Sequence, residues 1–243
     1  MAGAGKKTFT AGEILTASDT NTYLMEQTVM YFAGTASRAS AIPTPSTGMT
    51  TYIGTTGTAS IPQIETYTGS AWQTPYAMTL VGTTTVSAAT SLVFNNVFTS
   101  AYDNYRIIAN FTNASSGSFV WLRMRAGGSD NISANYNCQI SQRNTNTTSW
   151  TLYAATSSTY FEVFNTSTGQ GGNGFIEVSD PATSGYTSFI ANGMQRTSSV
   201  STGMLAASNS GTMSVTTAYD GFSITSAAGN ITGTVQVYGY RKS

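Results

Sequence analysis

The sequence lacks histidine altogether and contains a single cysteine, Cys138. Without histidine the chain has no Ser-His-Asp or Cys-His catalytic machinery and no imidazole ligand for a metal ion. One cysteine excludes an intrachain disulfide and a thiolate zinc cluster, and we expect Cys138 to be a small buried side chain. The sequence therefore predicts no metal site and no cofactor, and we expect the protein not to be an enzyme.

Charge is also scarce. Only 8 % of the residues are charged, and ten basic side chains balance ten acidic ones. Nucleic-acid binding depends on clustered Lys and Arg, so we expect no nucleic-acid partner. No apolar run approaches the roughly 18 residues of a membrane span, and the N-terminus has no apolar segment typical of a signal peptide. We therefore expect synthesis in the cytoplasm, without membrane insertion or general secretion.

Small hydroxylated residues and aromatic residues are abundant instead. Thr, Ser and Gly make up 97 of the 243 residues, and the chain holds 14 Tyr, 11 Phe and 3 Trp. Thr, Tyr and Phe favour strands, whereas disorder requires low hydrophobicity together with high net charge. The composition therefore predicts a mainly β protein.

The first of three zones, residues 1–40, contains the predicted helix. Ser18 and Asp19 are good N-cap residues, and neither Gly nor Pro follows before residue 33, so we predict a short N-terminal helix over about 18–32. Four residues near helical spacing are candidate intersubunit or attachment contacts: Tyr23, Leu24, Met30 and Tyr31. An isolated helix of this length is marginal in water. It should therefore pack on a neighbouring subunit or a docking surface, or else fold back on its own domain.

The second zone, residues 41–78, is predicted to be a Pro-containing linker followed by a small β-meander that forms a neck. Three short segments read as its strands: 49–53, 63–67 and 71–73. Tyr67 and Trp72 flank the last turn and are placed to stack across it. A unit this small is barely stable alone, so we expect it to pack on copies of itself or on a neighbour.

The third zone, residues 79–243, is long enough for a full sandwich. Segments of strand character, separated by turn-rich stretches, are 93–98, 105–111, 119–124, 150–154, 160–164, 175–178, 186–191, 222–224 and 235–240. Alternation places Val120, Leu122 and Met124 on a core-facing side. We therefore predict an antiparallel β-sandwich, jelly-roll-like, as a head domain.

Two motifs of catalytic type have structural explanations. Residues 169–174 fit the letters of the dinucleotide-binding pattern, but a strand rather than a helix follows them, so we predict a hairpin loop. Four carboxylates are candidates for a glycosidase pair: Glu162, Glu177, Asp180 and Asp220. Nothing in their spacing sets two of them face to face, and strand or turn positions explain them.

Arginine and aromatic side chains provide the candidate contacts. Arg106, Arg123 and Arg125 are interpreted as part of a solvated or intersubunit sheet face, with Arg123 and Arg125 as intersubunit candidates. The alternative for these arginines is a site for an anionic sugar or an acidic partner. Three aromatic residues near Asn- and Thr-rich loops are candidate glycan or receptor contacts, with core packing as the alternative: Trp150, Tyr153 and Tyr160.

Residues 9–25, FTAGEILTASDTNTYLM, resemble the N-terminal segment of minor structural proteins of tailed bacteriophages, especially those of actinobacterial hosts. In those proteins a Pro-containing linker, a Gly-Met-x-Thr-Tyr strand and a Tyr-x-Gly-Ser-x-Trp turn follow, and residues 48–52 and 67–72 match these patterns. Three further segments are similar to their β-rich C-terminal domains: 102–107, 122–125 and 237–240.

The resemblance implies a virion component: a tail fibre or minor tail protein, generally a homotrimer, anchored to other phage structural proteins by its N-terminus. Its β-sandwich tip would serve host attachment as a receptor-binding module, with a host-surface glycan as the candidate ligand. A head fibre or decoration protein on the capsid is the alternative. A tail-tip hydrolase of cell-wall glycan is a third hypothesis, which requires two facing carboxylates in a groove.

Overall fold

The computed structural model describes residues 10–20, 29–54, 62–74, 78–144, 150–195 and 204–240. The chain divides into two compact units, Met1–Tyr76 and Ala77–Ser243. No helix in the described ranges is long and apolar enough to cross a membrane.

In its described residues the first unit is a small mixed sheet with two short helices. Its elements in chain order are α1 (Ala17–Asp19), β1 (Met30–Phe32), α2 (Thr35–Ala41), β2 (Thr50–Ile53), β3 (Gln63–Tyr67) and β4 (Trp72–Gln73). The strands lie in the order β1-β2-β3-β4, with β1 parallel to β2 and the other pairs antiparallel. The meander thus lies where the sequence predicts it, with an additional strand at its edge. The Tyr67 and Trp72 rings meet at 5.3 Å between centroids, tilted by 54°.

The predicted helix over 18–32 is wrong at its C-terminal end. Helix α1 is a single turn, in which Asp19 N donates to Thr16 Oγ1 at 3.1 Å and Thr16 N donates to Asp19 Oδ2 at 3.3 Å. Residues 21–28 lie outside the described residues, and Met30–Phe32 form β1. This strand pairs in register with β2. Tyr and Phe favour strands, and here pairing with a neighbour overrides an approximate helical spacing.

The second unit is an antiparallel β-sandwich. Its strands in chain order are β5 (Met78–Ala89), β6 (Ser91–Phe94), β7 (Asn104–Ala114), β8 (Ser118–Ala126), β9 (Ser129–Asp130), β10 (Tyr136–Asn144), β11 (Trp150–Ser158), β12 (Phe161–Thr166), β13 (Gly172–Ser179), β14 (Ser188–Gln195), β15 (Leu205–Met213), β16 (Gly221–Ser226) and β17 (Ile231–Tyr240). The eight-stranded sheet has the order β11-β10-β15-β14-β13-β7-β17-β5. The five-stranded sheet has the order β12-β8-β16-β6, with β9 paired to β8. The predicted sandwich is confirmed, and the jelly-roll connectivity stays a prediction.

Alternating burial along the strands builds the core between the two sheets. On β8 the side chains of Val120, Leu122 and Met124 are fully buried, as the sequence alternation predicts. Aromatic rings bridge the sheets, because Phe161 of β12 stacks on Phe189 of β14 with centroids 4.9 Å apart. Each buried strand therefore presents its other set of side chains on an outward face.

Candidate binding surfaces

The outward face of the eight-stranded sheet brings residues from seven strands into rows. Directly opposite residues of an antiparallel pair share a face, so the strand register defines each row. One row runs Tyr238, Arg106, Glu177, Ile190, Ser210, Gln139 and Ala154. The next row runs Gln236, Ile108, Phe175, Asn192, Ser208, Ser141 and Leu152. The two halves of this face differ in chemistry.

The half on β7, β13 and β14 carries what we name the central apolar patch: Ile108, Phe175, Ile190 and Met194. The exposed fractions are 53 % for Ile190, 38 % for Met194 and 36 % for Ile108. Phe175 lies directly opposite Ile108 and diagonal to Ile190 and Met194. Contiguous apolar side chains at the centre of a sheet face are typical of a protein contact.

Paired charges border the central apolar patch. Arg106 Nε donates to Glu177 Oε1 at 2.6 Å, and the Tyr240 hydroxyl donates to the two oxygens of Glu177 at 3.0 and 2.8 Å. The Arg106 guanidinium also lies over the Phe175 ring, 4.8 Å from its centroid. The hydrogen bond to Glu177 raises the pKa of Arg106. Both charges of this cluster are therefore satisfied within the chain.

The half on β15, β10 and β11 is polar. We name as the hydroxyl groove a depression with a volume of about 510 Å³. Eight residues line it: Gln139, Ile140, Ser141, Leu152, Tyr153, Ala154, Ser208 and Ser210. A second depression of about 410 Å³ adjoins it and shares Gln139 and Ser210. Neither depression is lined by a charged residue, and the hydroxyl and amide groups of the groove lie beside apolar side chains such as Ile140 and Leu152.

A buried polar cluster lies on the inward side of the same strands. Glu162 of β12 accepts hydrogen bonds from Gln142 Nε2 at 2.6 Å and from the Tyr153 hydroxyl at 2.8 Å. Burial raises the pKa of Glu162 and also that of Tyr153. Asn209 Nδ2 donates to the carbonyls of Glu162 and Val163 at 3.0 and 3.1 Å. Asn209 thereby holds β15 on the opposing sheet, beneath the hydroxyl groove.

The three aromatic residues proposed as glycan contacts do not share one face. Trp150 is 51 % exposed and lies on the outward face opposite Arg143. Tyr153 lies on the other face of β11, with its hydroxyl on Glu162. Tyr160 is half-buried, and its ring stacks on Trp121 with centroids 4.3 Å apart. Of the three, Trp150 continues the outward face of the sheet, whereas Tyr153 is among the residues that line the hydroxyl groove.

The three arginines grouped by sequence are separated by the sandwich. Arg106 faces outward from the large sheet, whereas Arg123 and Arg125 belong to β8 of the small sheet. Arg123 Nε donates to the Thr159 carbonyl at 3.1 Å, and its guanidinium lies 5.5 Å from the Trp121 centroid. Arg125 forms an ion pair with Asp130 and donates to Asn95 Oδ1 at 3.0 Å. Contacts within the chain thus occupy both candidate intersubunit arginines.

The carboxylates considered for catalysis are dispersed. Glu162 faces the core side of the large sheet and Glu177 its outward side, so the sheet separates them. Asp180 lies in a turn at a φ of 55°, and Asp220 Oδ2 accepts a hydrogen bond from Gly127 N at 2.8 Å. The parts of the chain that the structure describes contain no group of three His, Cys, Asp or Glu residues able to hold a metal ion.

The glycine-rich segment 169–174 forms a turn that leads into a strand. A bridge between Ser167 and Gly171 closes the turn, and β13 begins at Gly172. Gly169 and Gly171 have φ angles of 75° and 73°, which glycine adopts without strain. No helix N-terminus follows that a phosphate would bind, as the sequence predicts.

The first unit holds a buried ion pair that sequence reasoning missed. Arg38 of α2 pairs with Glu65 of β3 and donates to Thr51 Oγ1 at 3.2 Å. Its guanidinium lies 4.1 Å from the centroid of the Trp72 ring. Arg38 and Glu65 are 6 % and 7 % exposed. The sequence of α2 consists mostly of small residues and ends shortly before a proline, so it did not indicate a helix. The Arg38–Glu65 ion pair joins α2 to the sheet.

The candidate attachment residues fall on β1 or outside the described residues. Tyr23 and Leu24 lie outside them, and Met30 is half-buried. Tyr31 is 68 % exposed and stacks on Tyr52 of β2, with centroids 5.9 Å apart. The two tyrosines form an exposed aromatic pair on the sheet of the first unit.

Comparison of the chain with known protein families, with curated proteins and with solved structures finds no match.

Proposed function

We propose that the chain is a structural protein of a bacteriophage virion, a homotrimeric tail fibre or minor tail protein. In this proposal the sandwich unit binds the host surface, and the N-terminal unit attaches the protein to other phage structural proteins. The resemblance of residues 9–25 and of the linker and turn after them supports the virion assignment.

The central apolar patch is the observation that carries the assembly part of the proposal. Ile190, Met194 and Ile108 are exposed at the centre of the widest sheet, and the neighbouring charges of Arg106 and Glu177 neutralise each other. Contacts between copies of one chain are more apolar at their centre than the remaining surface, with polar groups at the rim. A threefold assembly would bring three copies of the patch together and close without leaving an open end.

Binding rather than catalysis is favoured by the disposition of acidic groups. Glu162 and Glu177 lie on opposite sides of the large sheet, so they do not flank one substrate as a glycosidase requires. The polar half of the outward face offers recognition groups instead.

The first unit is the part assigned to attachment. Its sheet is small, with β1 and β4 of three and two residues, and such a sheet needs further packing. The exposed Tyr31–Tyr52 pair supplies an aromatic surface for that packing.

An antibody against residues 79–243, applied to virions of the phage that encodes the chain and viewed by electron microscopy, tests the virion assignment. We expect label at the tail. Label over the capsid would replace the tail assignment by the head-fibre or decoration alternative. Virions without label, although the antibody binds the purified protein, would contradict a role in the particle. Sedimentation equilibrium tests the trimer, with an expected mass three times the 25.5 kDa of the chain.

A further inference from the structure

We propose that the hydroxyl groove binds a neutral saccharide. The role of this saccharide as the host contact of a virion rests on the proposed function. Saccharide binding by the sandwich does not depend on that function, because it is a property of the groove itself.

The size of the depression suits a small oligosaccharide. Its volume of about 510 Å³ lies within the range of about 300–1,000 Å³ that is usual for small-molecule sites. The adjoining depression of about 410 Å³ extends it along the same strands. Together they provide room for more than one sugar ring.

The lining groups match the hydrogen-bonding character of a sugar. Gln139 and Ser141 of β10 and Ser208 and Ser210 of β15 project from two neighbouring strands, and their side chains make no hydrogen bond to any described residue. Hydroxyl and amide groups both donate and accept hydrogen bonds, as sugar hydroxyls do. Four such groups without partners, on one side of a sheet, form a convergent set of recognition groups.

The backbone beneath the groove is held in place. Asn209, between Ser208 and Ser210, is 1 % exposed and is hydrogen-bonded through its amide nitrogen to two carbonyls of β12. Its Oδ1 accepts a hydrogen bond from Ser141 N at 3.2 Å. One buried amide therefore fixes the strands that carry three of the recognition hydroxyls, which lowers the ordering cost of binding.

Apolar side chains border the polar groups at the edge of the sheet. Leu152 is 71 % exposed, and Trp150, two residues before it on the same face, is 51 % exposed. An indole ring offers an apolar surface to the C–H face of a sugar, while the serines and glutamine reach its hydroxyls. Arg143, opposite Trp150, is the nearest charged side chain on this face in the strand register.

The same chemistry distinguishes a saccharide from a second copy of the chain. A contact between copies needs an apolar centre, which the central apolar patch has, whereas four of the eight residues that line the hydroxyl groove are serine or glutamine. An acidic ligand would need unpaired cations among the lining residues, and none of these is charged, since Arg143 lies beyond them, opposite Trp150. A neutral polyol is the ligand class that leaves none of these groups mismatched.

The test uses the purified full chain on an array of neutral oligosaccharides, comprising glucans, galactans, mannans, arabinans and rhamnans, with sialylated and uronic-acid glycans beside them. We expect retention on at least one neutral glycan and none on the acidic ones. The variant Ser208→Leu/Ser210→Leu removes two hydroxyls from an exposed sheet face, and we expect at least a tenfold loss of affinity. Ser91→Leu, at an exposed position of β6, is the matched control and should bind as the wild type does.

If the chain binds none of the neutral glycans on the array, the inference is overturned. So does binding that survives the double variant, because the ligand then lies elsewhere. If the double variant lowers the sedimentation mass instead, the groove is a contact between copies and the inference is wrong. Virion labelling is independent of all three results, so failure of the proposed function is distinguished from failure of the groove.

Discussion

At the residue scale, Glu162 places a carboxylate inside the sandwich with two side-chain donors and no cation among its hydrogen-bond partners. Gln142 and Tyr153 donate to it, and burial is the largest cause of its raised pKa. The folded chain therefore retains the proton at a pH where the unfolded chain, in which the carboxyl has its ordinary pKa of 4.5, has lost it. The contribution of this group to the free energy of unfolding is largest below pH 4.5 and falls as the pH rises through the raised pKa of the folded chain.

Glu162→Gln removes that titration while it keeps a polar group of similar size. Between about pH 4 and about pH 7 we expect the free energy of unfolding of the variant to rise relative to that of the wild type. Tyr153→Phe removes a donor that favours the ionised carboxylate, so it should raise the pKa of Glu162 further. Over the same pH range we therefore expect the free energy of unfolding of this variant to fall relative to that of the wild type. Urea denaturation at both pH values measures the difference. Parallel pH profiles for the three proteins would contradict this assignment.

Arg38 is a second residue whose effect follows from burial. Arg38→Met leaves Glu65 as a buried charge without its cation, and breaking such a pair costs about 3–5 kcal/mol. We expect faster amide hydrogen exchange in β2 and β3, while exchange in the sandwich unit stays unchanged. Arg38→Met/Glu65→Leu, which removes both charges, should recover much of the protection. Unchanged exchange in the single variant would show that the pair does not stabilise the sheet.

At the element scale, two paired glycines make room for an aromatic side chain of the facing sheet. Gly174 of β13 and Gly193 of β14 lie directly opposite each other. A Cβ atom on Gly193 would lie 2.7 Å from Phe164 Cβ, and one on Gly174 would lie 2.9 Å from Phe164 Cδ1. Packing of β12 on the large sheet thus depends on the absence of a Cβ atom at Gly174 and Gly193.

Gly193→Ala should destabilise the sandwich by about 1–3 kcal/mol, because the added methyl group overpacks the core. Gly117→Ala is the control, since the nearest atom to its added Cβ would be 3.5 Å away. Thermal denaturation measures both variants. Phe164→Gly removes the atoms that the added methyl group would meet, so introduced together with Gly193→Ala it should cost less than the sum of the two single changes. Strict additivity would mean that the clash is relieved elsewhere.

The strands that the sequence predicts share a physical property. Segments such as β7, β8 and β17 carry several large apolar residues at alternate positions, so their buried faces are visible in the sequence. Strands β5 and β15 consist largely of Thr, Ser, Ala and Gly, and neither was predicted. Their strand conformation depends on pairing with neighbours on the sheet, which single-sequence propensity does not contain.

The candidate site was also predictable only in part, because pairing between strands brings its residues together. The aromatic side chain of Trp150, near Asn- and Thr-rich loops, makes this residue a candidate in the sequence, and the strand register places it on the outward face, two residues before Leu152. Ser208 and Ser210 belong to the unpredicted β15, and only the strand register places them beside Ser141. The hydrogen bond from Tyr153 to Glu162 spans the two sheets, so no local pattern indicates that this tyrosine serves the core.

At the scale of the whole molecule, the outward face of the large sheet separates two contacts. The central apolar patch on β7, β13 and β14 is assigned to assembly, and the hydroxyl groove on β15, β10 and β11 to a saccharide. Ile190 and Ser210 are direct neighbours in the register, so the two surfaces meet between β14 and β15. Assembly through the patch would therefore set the grooves of several copies at fixed distances, and simultaneous binding raises the apparent affinity for a surface.

The double variant Ile190→Asp/Met194→Asp tests this arrangement. Placing carboxylates in the apolar patch of every copy opposes contact between copies, so we expect sedimentation equilibrium to give the mass of one chain. Ile132→Asp is the control, because Ile132 is 66 % exposed in the loop between β9 and β10 and should leave the assembly intact. Circular dichroism verifies that each variant is folded. Since the groove is untouched, the monomer should bind a soluble oligosaccharide as the wild type does, yet bind a dense glycan surface about 10²–10⁴-fold more weakly. A variant that remains an oligomer would exclude the patch as the contact, and equal binding to the dense surface would show that the grooves act singly.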